Sequence, residues 1–356
     1  MDEPQSSIEL VKKLSDKARS VKIPPLLQEK IFLMLERAAS SLKYLGSGDI
    51  LDQTEKYIEW ITSLPWENES SDNLDLVHAK SILDRNHFGV HEIKDRILEY
   101  LAVMKLTKTN VSKTGKNEPQ IRAPILCFVG LVGTGKTTLA YSIAEAMGRK
   151  FVRIPFGGMG SAFDLRGQSR MHKEAEPGQV IKALRRAGTK NPVILFDEID
   201  RVSEETRSDI MGVLVELLDP EQNLAFVDHF LDYPFDLSNV LFITTANNTK
   251  NISTAVLDRL EPIQMPSYSD GEKITIGRDY IFPKELLSCG LSPTHLTISD
   301  DVWAQIVRPL GFDAGIRTLE RTINGICRKI AREIVERKGT SYNLTIENIK
   351  EYLPKW

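Results

Sequence analysis

Apolar residues recur every three or four positions along most of the first hundred residues, which is the spacing of an amphipathic helix. The segment PPLLQEKIFLMLERAASSLKYLG shows this pattern most clearly and ends at Gly46, a residue type that commonly terminates helices. The segments QTEKYIEWITSLPW, LDLVHAKSILDRN and EIKDRILEYLAVMKLTK are also predicted to be helical, whereas NESSDN and TNVSKTGKNEPQ are predicted to be loops. The apolar face of the first of these helices is predicted at Leu27, Ile31, Leu35, Ala38, Leu42 and Leu45.

The pattern changes at residue 124 to short apolar runs separated by helical segments. Runs of this kind are typical of parallel strands that are buried on both faces. They predict an α/β fold with a five-stranded parallel sheet, preceded by a helical segment. Beyond Tyr268 the pattern predicts helices and no further strand, so we expect a helical segment over 1–66, an α/β domain over 67–266 and a small α-helical domain over 267–356. The five predicted strands are PILCFVG, KFVRIPF, PVILFDE, NVLFITTAN and EPIQMP.

Composition narrows the class of protein. The chain has 356 residues, of which 41% are hydrophobic and 27% charged, as is ordinary for a folded globular protein. A net charge of -3 provides no global basic field, so neither nucleic acid nor a membrane surface is an expected partner. The three cysteines are far apart in the sequence, and the beginning MDEPQSS does not resemble a leader peptide. A cytoplasmic location is therefore expected, with the mitochondrial matrix as the alternative if the sequence belongs to a longer precursor.

The strongest chemical signal directly follows the first predicted strand. The pattern is G-x-x-x-x-G-K-[ST] between a strand and a helix, which is the context that a phosphate-binding loop requires. Glycines let backbone N–H groups surround phosphates, Lys136 is expected to reach the β- and γ-phosphates, and the Thr137 hydroxyl is expected to bind Mg²⁺. The cofactors predicted are ATP and Mg²⁺. The predicted nucleotide-binding residues here are Gly130, Leu131, Val132, Gly133, Thr134, Gly135, Lys136, Thr137 and Thr138.

Two acids follow the third predicted strand. The segment VILFDEID brings Asp197 and Glu198 to the carboxyl edge of the sheet, where open α/β sheets bind ligands. Asp197 is predicted to hold Mg²⁺ through its water shell, and Glu198 to polarise a water for attack on the γ-phosphate. The alternative is that the two acids merely cap a following helix.

Three further polar residues are candidates for the same chemistry. Asn247 ends the fourth predicted strand, where an amide can orient the attacking water, although Asn is equally common in turns. Arg259 and Arg317 are candidate phosphate contacts because a guanidinium is permanently charged and planar. Either arginine can instead be an ordinary surface ion pair.

From about residue 50 to its end the chain resembles the AAA+ ATPase module of the Lon family of ATP-dependent proteases. The first part of the chain matches that family more weakly, through its helices. The segments that carry the resemblance are YIEWITSLPW, NLDLVHAKSILDRNHFGVHEIKDRILEYLAVMKLTK, GRKFVRI, ALRRAGTKNPVILFDEID, ELLDPEQN, DHFLDYPFDLSNVLFITTAN, LDRLEPIQMPSYSDGEK and GIRTLERTINGICRK.

The resemblance implies a homo-oligomer, a hexameric ring with ATP between neighbouring subunits, acting on protein substrates. It implies that Asn247 is the first sensor, that Arg259 is an arginine finger acting on the neighbour's ATP, and that Arg317 is the second sensor. It also implies an adenine pocket formed by His87, Phe88 and Gly89. The spacing of His87 and His91 alone allows a metal site, but the segment HFGVH offers no third ligand.

Two loops depart from the family's pattern. Where the family carries an aromatic and an aliphatic residue on a loop facing the pore of the ring, this chain has His172 and Lys173 within RMHKEAEPG. Charged residues are expected to favour polar partners over the apolar contact that grips an extended polypeptide. In a second inner loop, Arg-Gly-Asp-Pro is replaced by RSDI at 207–210, so the helix is expected to begin earlier. Drift in two exposed loops is the alternative explanation.

No Ser-Lys pair of the family's peptidase domain can be placed in this sequence. We therefore expect an ATPase that drives protein unfolding or remodelling, either as part of a longer protease or together with a separate peptidase partner. A free-standing regulatory ring that does not thread its substrate is the alternative. A nucleic-acid-associated ATPase is the third possibility, against which the acidic balance and the lack of interleaved aromatic residues argue.

Overall fold

The structure is a computed structural model, and it describes residues 3–45, 49–114, 124–172, 174–308 and 315–354. The helices are α1 (Glu3–Ser20), α2 (Pro25–Leu45), α3 (Asp49–Ser63), α4 (Leu76–Asn86), α5 (His91–Thr114), α6 (Lys136–Met147), α7 (Phe163–Arg166), α8 (Gln179–Ala187), α9 (Arg207–Leu218), α10 (Thr254–Leu257), α11 (Asp270–Ile276), α12 (Phe282–Ser288), α13 (Trp303–Val307), α14 (Arg317–Val335) and α15 (Ile349–Tyr352). The strands are β1 (Ile125–Val129), β2 (Phe151–Pro155), β3 (Val193–Asp197), β4 (Phe226–Asp228), β5 (Tyr233–Phe235), β6 (Leu241–Ala246), β7 (Leu260–Gln264), β8 (Leu296–Ile298) and β9 (Tyr342–Leu344).

The five predicted strands form one sheet in the order β2, β3, β6, β1, β7. β3 pairs in parallel with β2 on one side and with β6 on the other. Every residue of β3 and β6 is buried, which explains their almost continuous apolar sequences. The predicted fold class is confirmed.

Two expectations about secondary structure were wrong. We expected no strand after Tyr268, but β8 and β9 pair in parallel with Leu296 opposite Tyr342. Each of these strands has three residues, which is too short for a periodic pattern to reveal. We also expected a loop from Thr109 onward, whereas α5 continues to Thr114, because no glycine or proline stops it before Gly115. The rest of that predicted loop, 115–120, lies outside the described residues. Gly46, the predicted end of α2, also lies outside them.

The chain divides into two compact units, and the first comprises 1–73, 119–127 and 147–261. Its amino-terminal helices bury the predicted apolar face of α2 at Leu27, Ile31, Leu35 and Ala38, as far as the side chains are described. In α3 the fully buried Tyr57 donates its hydroxyl to the carbonyl oxygen of Leu231 at 2.9 Å. These helices are therefore an integral part of the first unit.

The second unit comprises 74–118, 128–146 and 262–356. Its carboxyl-terminal part has a core of its own around Trp303, which is 1% exposed, and Phe88 packs against that core. α14 supplies much of the core from one face, including Leu319, Ile323 and Ile326. The domain boundaries expected at residues 66 and 266 remain a prediction.

Candidate functional site

The G-x-x-x-x-G-K-T segment of the second unit forms a tight loop that leads into α6. Gly133 and Gly135 have φ angles of 83° and 93°, which place both in the left-handed region that glycine adopts without strain. Successive residues in such conformations turn their N–H groups toward a common concavity that binds anions. Lys136 is the first residue of α6, and its buried ammonium donates to the carbonyl oxygens of Gly130 at 2.5 Å and Leu131 at 3.0 Å.

Residues from the carboxyl-terminal part of the second unit support this loop. The backbone N–H of Ile316 donates to the carbonyl oxygen of Gly133 at 3.0 Å, and the Tyr268 hydroxyl donates to that of Thr134 at 3.1 Å. A Cβ atom on Gly315 would lie 2.4 Å from the carbonyl oxygen of Val132, so glycine is required for this close approach. The loop is thus held in shape by three residues that lie more than 130 positions later in the sequence than Gly133.

Two threonines of this segment donate hydrogen bonds to its backbone. Thr134 is buried, and its hydroxyl donates to the carbonyl oxygen of Leu131 at 2.9 Å, which closes the turn. Thr137 lies half-buried in the first turn of α6. The Thr138 hydroxyl donates to the carbonyl oxygen of Gly135 at 2.8 Å. Arg317 is the exposed first residue of α14, directly after Ile316.

The three residues expected to line an adenine pocket follow α4, and the first of them contacts α6. His87 follows α4, and its Nε2 lies 3.0 Å from the hydroxyl of Ser142 on α6. Burial, reinforced by the nearby Lys94 ammonium, lowers the pKa of His87 to about 4, so the imidazole is neutral at physiological pH. Phe88 meets Tyr280 edge-on with ring centroids 6.3 Å apart, and Gly89 has a φ of 65°.

In the first unit, Asp197 ends β3 as a carboxylate that is 3% exposed. Its Oδ1 accepts a hydrogen bond of 2.5 Å from the Thr245 hydroxyl on β6, and its Oδ2 accepts one of 2.6 Å from Nε of Arg153 on β2. Asp197 is therefore held rigidly from both neighbouring strands.

Glu198 has an unusual backbone conformation, with φ 58° and ψ 51°. A left-handed conformation is uncommon for a residue with a side chain and costs of the order of 1 kcal/mol or more, so it persists only where its surroundings impose it. Here the N–H of Glu198 donates to the Thr245 hydroxyl at 2.8 Å. Its side chain is a quarter exposed and lies 3.5 Å from a guanidinium nitrogen of Arg201. The strained turn is therefore held by the same hydroxyl that contacts Asp197.

The other two candidate residues of the first unit are Asn247 and Arg259. Asn247 is half-buried directly after β6. Arg259 donates to Asp219 Oδ2 at 2.7 Å and to the carbonyl oxygen of Ala255 at 2.8 Å. The hydrogen bond from Arg259 holds the pKa of Asp219 below its usual value. The predicted arginine finger is thus engaged by an acid of its own subunit.

The segment RMHKEAEPG forms a loop whose exposed tip carries Met171, His172 and Glu174, while Lys173 lies outside the described residues. Met171 is 94% exposed. The preceding Arg170 is fixed, because its guanidinium stacks 4.1 Å above the Tyr57 ring and contacts Asp232 at 3.4 Å. The loop therefore presents an exposed apolar side chain directly after an anchored arginine.

The neck of this loop is closed around a buried carboxylate. Asp228, which is fully buried, accepts the N–H of Gly178 at 2.7 Å and the N–H groups of Phe230 and Leu231 at 2.8 and 3.1 Å. A Cβ atom on Gly167 would lie 2.8 Å from both Asp228 oxygens. The second inner loop leads into α9, which begins at Arg207, and an earlier start than in the family remains a prediction.

Sequence reasoning missed the residues that support the candidates, above all Thr245, Arg153 and Gly315. A signal was present for two of them, since Thr245 carries a hydroxyl in an apolar strand and Arg153 is the charged residue of β2. Among the described residues, no group of three or more His, Cys, Asp or Glu side chains is arranged to bind a metal ion, and no described helix meets the length and hydropathy needed to cross a membrane.

Comparison with protein families assigns the class. Residues 126–268 match the ATPase family associated with various cellular activities, AAA. Residues 288–342 match the Lon protease AAA+ ATPase lid domain. A structure titled as a closed-state cryo-EM reconstruction of Hsp104 with ATPγS and FITC casein aligns with a TM-score of 0.57 at 17% identity, covering 96% of this chain and 62% of that one. The fold and these matches define an AAA+ ATPase with a lid of the Lon type.

Curated relatives agree with that class. The Lon protease of Lawsonia intracellularis is 47% identical over 297 residues, which are 83% of this chain and 34% of that protein. Lon protease 2 of Thermus thermophilus is 41% identical over 96% of this chain and 42% of its own length. The chain belongs to the Lon family as an AAA+ ATPase module. It spans about a third to two fifths of the length of these relatives.

Proposed function

We propose that the chain hydrolyses Mg-ATP and uses the energy to unfold or remodel protein substrates. The loop that contains Gly133 and Gly135 would hold the phosphates together with Lys136. Thr137 and Asp197 would supply oxygen ligands that Mg²⁺ takes alongside phosphate and water. Bound Mg²⁺ would neutralise the charge that develops on the phosphates. The neutral His87 imidazole, with Phe88 and Gly89, would accept the adenine.

The observation that carries this proposal is the fixed geometry of Glu198. Its backbone is strained and tied to Asp197 through one hydroxyl, and strain of this kind clusters at functional sites. A carboxylate held in this way can take a proton from water as the water attacks, without first reorganising. Asn247, at the end of the adjoining strand β6, would orient that water.

Glu198→Gln tests the assignment directly. We expect the variant to bind a fluorescent ATP analogue with normal affinity and to lose hydrolysis by about a hundredfold or more, as expected for a general base. Lys136→Ala should lose nucleotide binding itself. Glu205→Gln, an exposed glutamate of the same unit, serves as the matched control and should behave as the wild type. Near-normal hydrolysis by Glu198→Gln contradicts the assigned role.

We further propose that the active form is a hexameric ring, in which Arg259 acts on the ATP of the neighbouring subunit and Arg317 senses the nucleotide of its own. The support is the family membership together with the position of Arg317, directly after the Ile316 N–H that contacts the phosphate-binding loop. Mixing wild-type protein with Arg259→Ala should then depress ATPase activity more steeply than the fraction of variant. A strictly proportional decrease contradicts an intersubunit role.

The RMHKEAEPG loop is the proposed contact with protein substrates. The sequence predicted that its charges disfavour an apolar grip, but the exposed Met171 offers an unbranched, adaptable apolar side chain at the tip. We propose that Met171 replaces the family's aromatic residue in contacting an extended polypeptide. The polar neighbours His172 and Glu174 support the alternative, a regulatory ring that does not thread its substrate.

The ATPase rate with and without an unfolded polypeptide, at two salt concentrations, separates these functions. Stimulation that persists at high salt and is lost in Met171→Ser supports threading by apolar contact. A flat response supports the regulatory ring. Stimulation by single-stranded DNA that falls with salt would instead support a nucleic-acid-associated ATPase.

The relatives are named as proteases, so we propose that this ATPase serves a peptidase whose residues are not among these 356. That peptidase belongs either to the same longer polypeptide or to a separate partner. We propose a cytoplasmic location. Degradation of an unfolded protein by the full-length gene product, and its loss in Glu198→Gln, would test the coupling.

A further inference from the structure

An open pocket of about 480 Å³ lies between α12 and α14 in the carboxyl-terminal part of the second unit. It is lined by two acids, two arginines and an amide: Glu285, Glu320, Arg321, Asn324 and Arg328. Its volume is in the range of ligand-binding clefts. None of these residues takes part in the nucleotide chemistry proposed above.

The two acids of the pocket are already engaged. Glu285 is 7% exposed, and its Oε2 accepts hydrogen bonds from Asn324 at 2.5 Å and from the Ser288 hydroxyl at 3.2 Å. Glu320 pairs with the ammonium of Lys284 at 3.3 Å. Lys284 therefore offsets the charge of Glu320. Glu285 orients the amide and keeps its charge, so the two arginines of the pocket outweigh one uncompensated acid.

The two arginines are not engaged in the same way. Arg321 and Arg328 are exposed, and neither pairs with an acid anywhere in the described parts of the chain. They stand seven residues apart on α14, which is two helical turns, so they share one face with their Cα atoms about 10 Å apart. A guanidinium binds a carboxylate through two parallel hydrogen bonds, so the pocket presents two carboxylate-binding groups at a defined spacing.

We propose that this pocket binds an acidic, extended segment of a partner protein. In an extended chain of the polyproline II type, residues three apart share one face and lie about 9 Å apart, so carboxylates at such positions match Arg321 and Arg328. A nucleic acid fits less well, because the lining of the pocket holds no aromatic side chain on which a base could stack.

The test uses the full chain and a fluorescein-labelled hexapeptide, SELAES, with fluorescence anisotropy at low salt. We expect saturable binding that weakens as salt is added, and no binding of SQLAQS, which has the same shape without the charges. Arg321→Gln and Arg328→Gln should each weaken binding about tenfold, the equivalent of one charge-assisted hydrogen-bonded contact. Arg337→Gln, another exposed arginine of the second unit, is the matched control and should leave binding unchanged.

Several results would overturn the proposal. It is wrong if SELAES does not bind at millimolar concentration, if SQLAQS binds equally well, or if Arg337→Gln weakens binding as much as Arg321→Gln. It is also wrong if the double arginine variant changes self-association in sedimentation experiments while peptide binding persists, because the face would then be an interface between copies of the chain. Basal ATPase activity, measured alongside, reports that each variant is folded.

Discussion

The hydroxyl of Thr245 donates a hydrogen bond to Asp197 Oδ1 at 2.5 Å and at the same time accepts one from the N–H of Glu198 at 2.8 Å. One side chain therefore fixes both acids that follow β3, the first through its carboxylate and the second through its backbone. Because the proton of the hydroxyl is committed to the carboxylate, its oxygen is free to accept from the amide. Thr245 thus acts as a positioning residue for the hydrolytic chemistry proposed here.

Thr245→Val should impair turnover while leaving nucleotide binding intact. Valine keeps the shape of the side chain but leaves the N–H of Glu198 and one oxygen of Asp197 without this partner, at a cost of about 1–3 kcal/mol for an unsatisfied buried group. We expect kcat to fall at least about tenfold, since 1.4 kcal/mol corresponds to that factor. Steady-state ATPase assays measure it, and Thr245→Ser should restore most of the rate. Equal losses in both variants would show that the hydroxyl is not what matters.

Gly315→Ala should weaken ATP binding. The added Cβ would lie 2.4 Å from the carbonyl oxygen of Val132, so either the phosphate-binding loop or the segment before α14 must move. That movement would break the hydrogen bond from Ile316 to Gly133. We expect the Kd of a fluorescent ATP analogue to rise about tenfold or more, about 1.4 kcal/mol.

Gly271→Ala is the control for that substitution, because a Cβ at Gly271 meets no atom within 4 Å. Alanine there replaces a helical glycine of α11 and should preserve ATP affinity. If Gly315→Ala binds nucleotide as tightly as Gly271→Ala does, the support of the loop by the segment before α14 is unimportant for binding.

Much of the fold follows from local pattern, and the support of the site does not. The segment VILFD predicts β3 because a short run of consecutive apolar residues can be recognised from the sequence alone. All five of its residues are buried in the structure. The contact of Thr245 with Glu198 joins residues 47 positions apart, and that of Ile316 with Gly133 joins residues much farther apart. Neither contact produces a periodic pattern in the sequence. The candidates with a known spacing were therefore predictable, whereas the residues that hold them in place required the structure.

Asp219→Asn should reduce ATPase activity through Arg259. The asparagine keeps the shape but removes the charge that holds the guanidinium, so Arg259 would be less well positioned. We expect a severalfold lower kcat with unchanged nucleotide affinity. The double variant Asp219→Asn with Arg259→Ala should be no slower than Arg259→Ala alone, because the two residues act as one unit. Additive losses in the double variant would show that Asp219 acts by another route.

Asp228→Asn should change how stability depends on pH. Burial raises the pKa of Asp228 to about 6, against the opposing effect of three backbone N–H donors and the Lys182 ammonium. The pKa of Asp228 is therefore higher in the folded state than in the unfolded state. As the pH falls from about 6 to about 4, the folded state takes up a proton that the unfolded state does not yet bind. Over that window the wild type gains stability that the variant cannot gain. The difference in unfolding free energy, wild type minus Asp228→Asn, should therefore be larger by about 2 kcal/mol at pH 4.5 than at pH 7.5, as measured by urea unfolding at each pH. A difference that is the same at both values would show that Asp228 is ionised throughout and that its three N–H donors outweigh its burial.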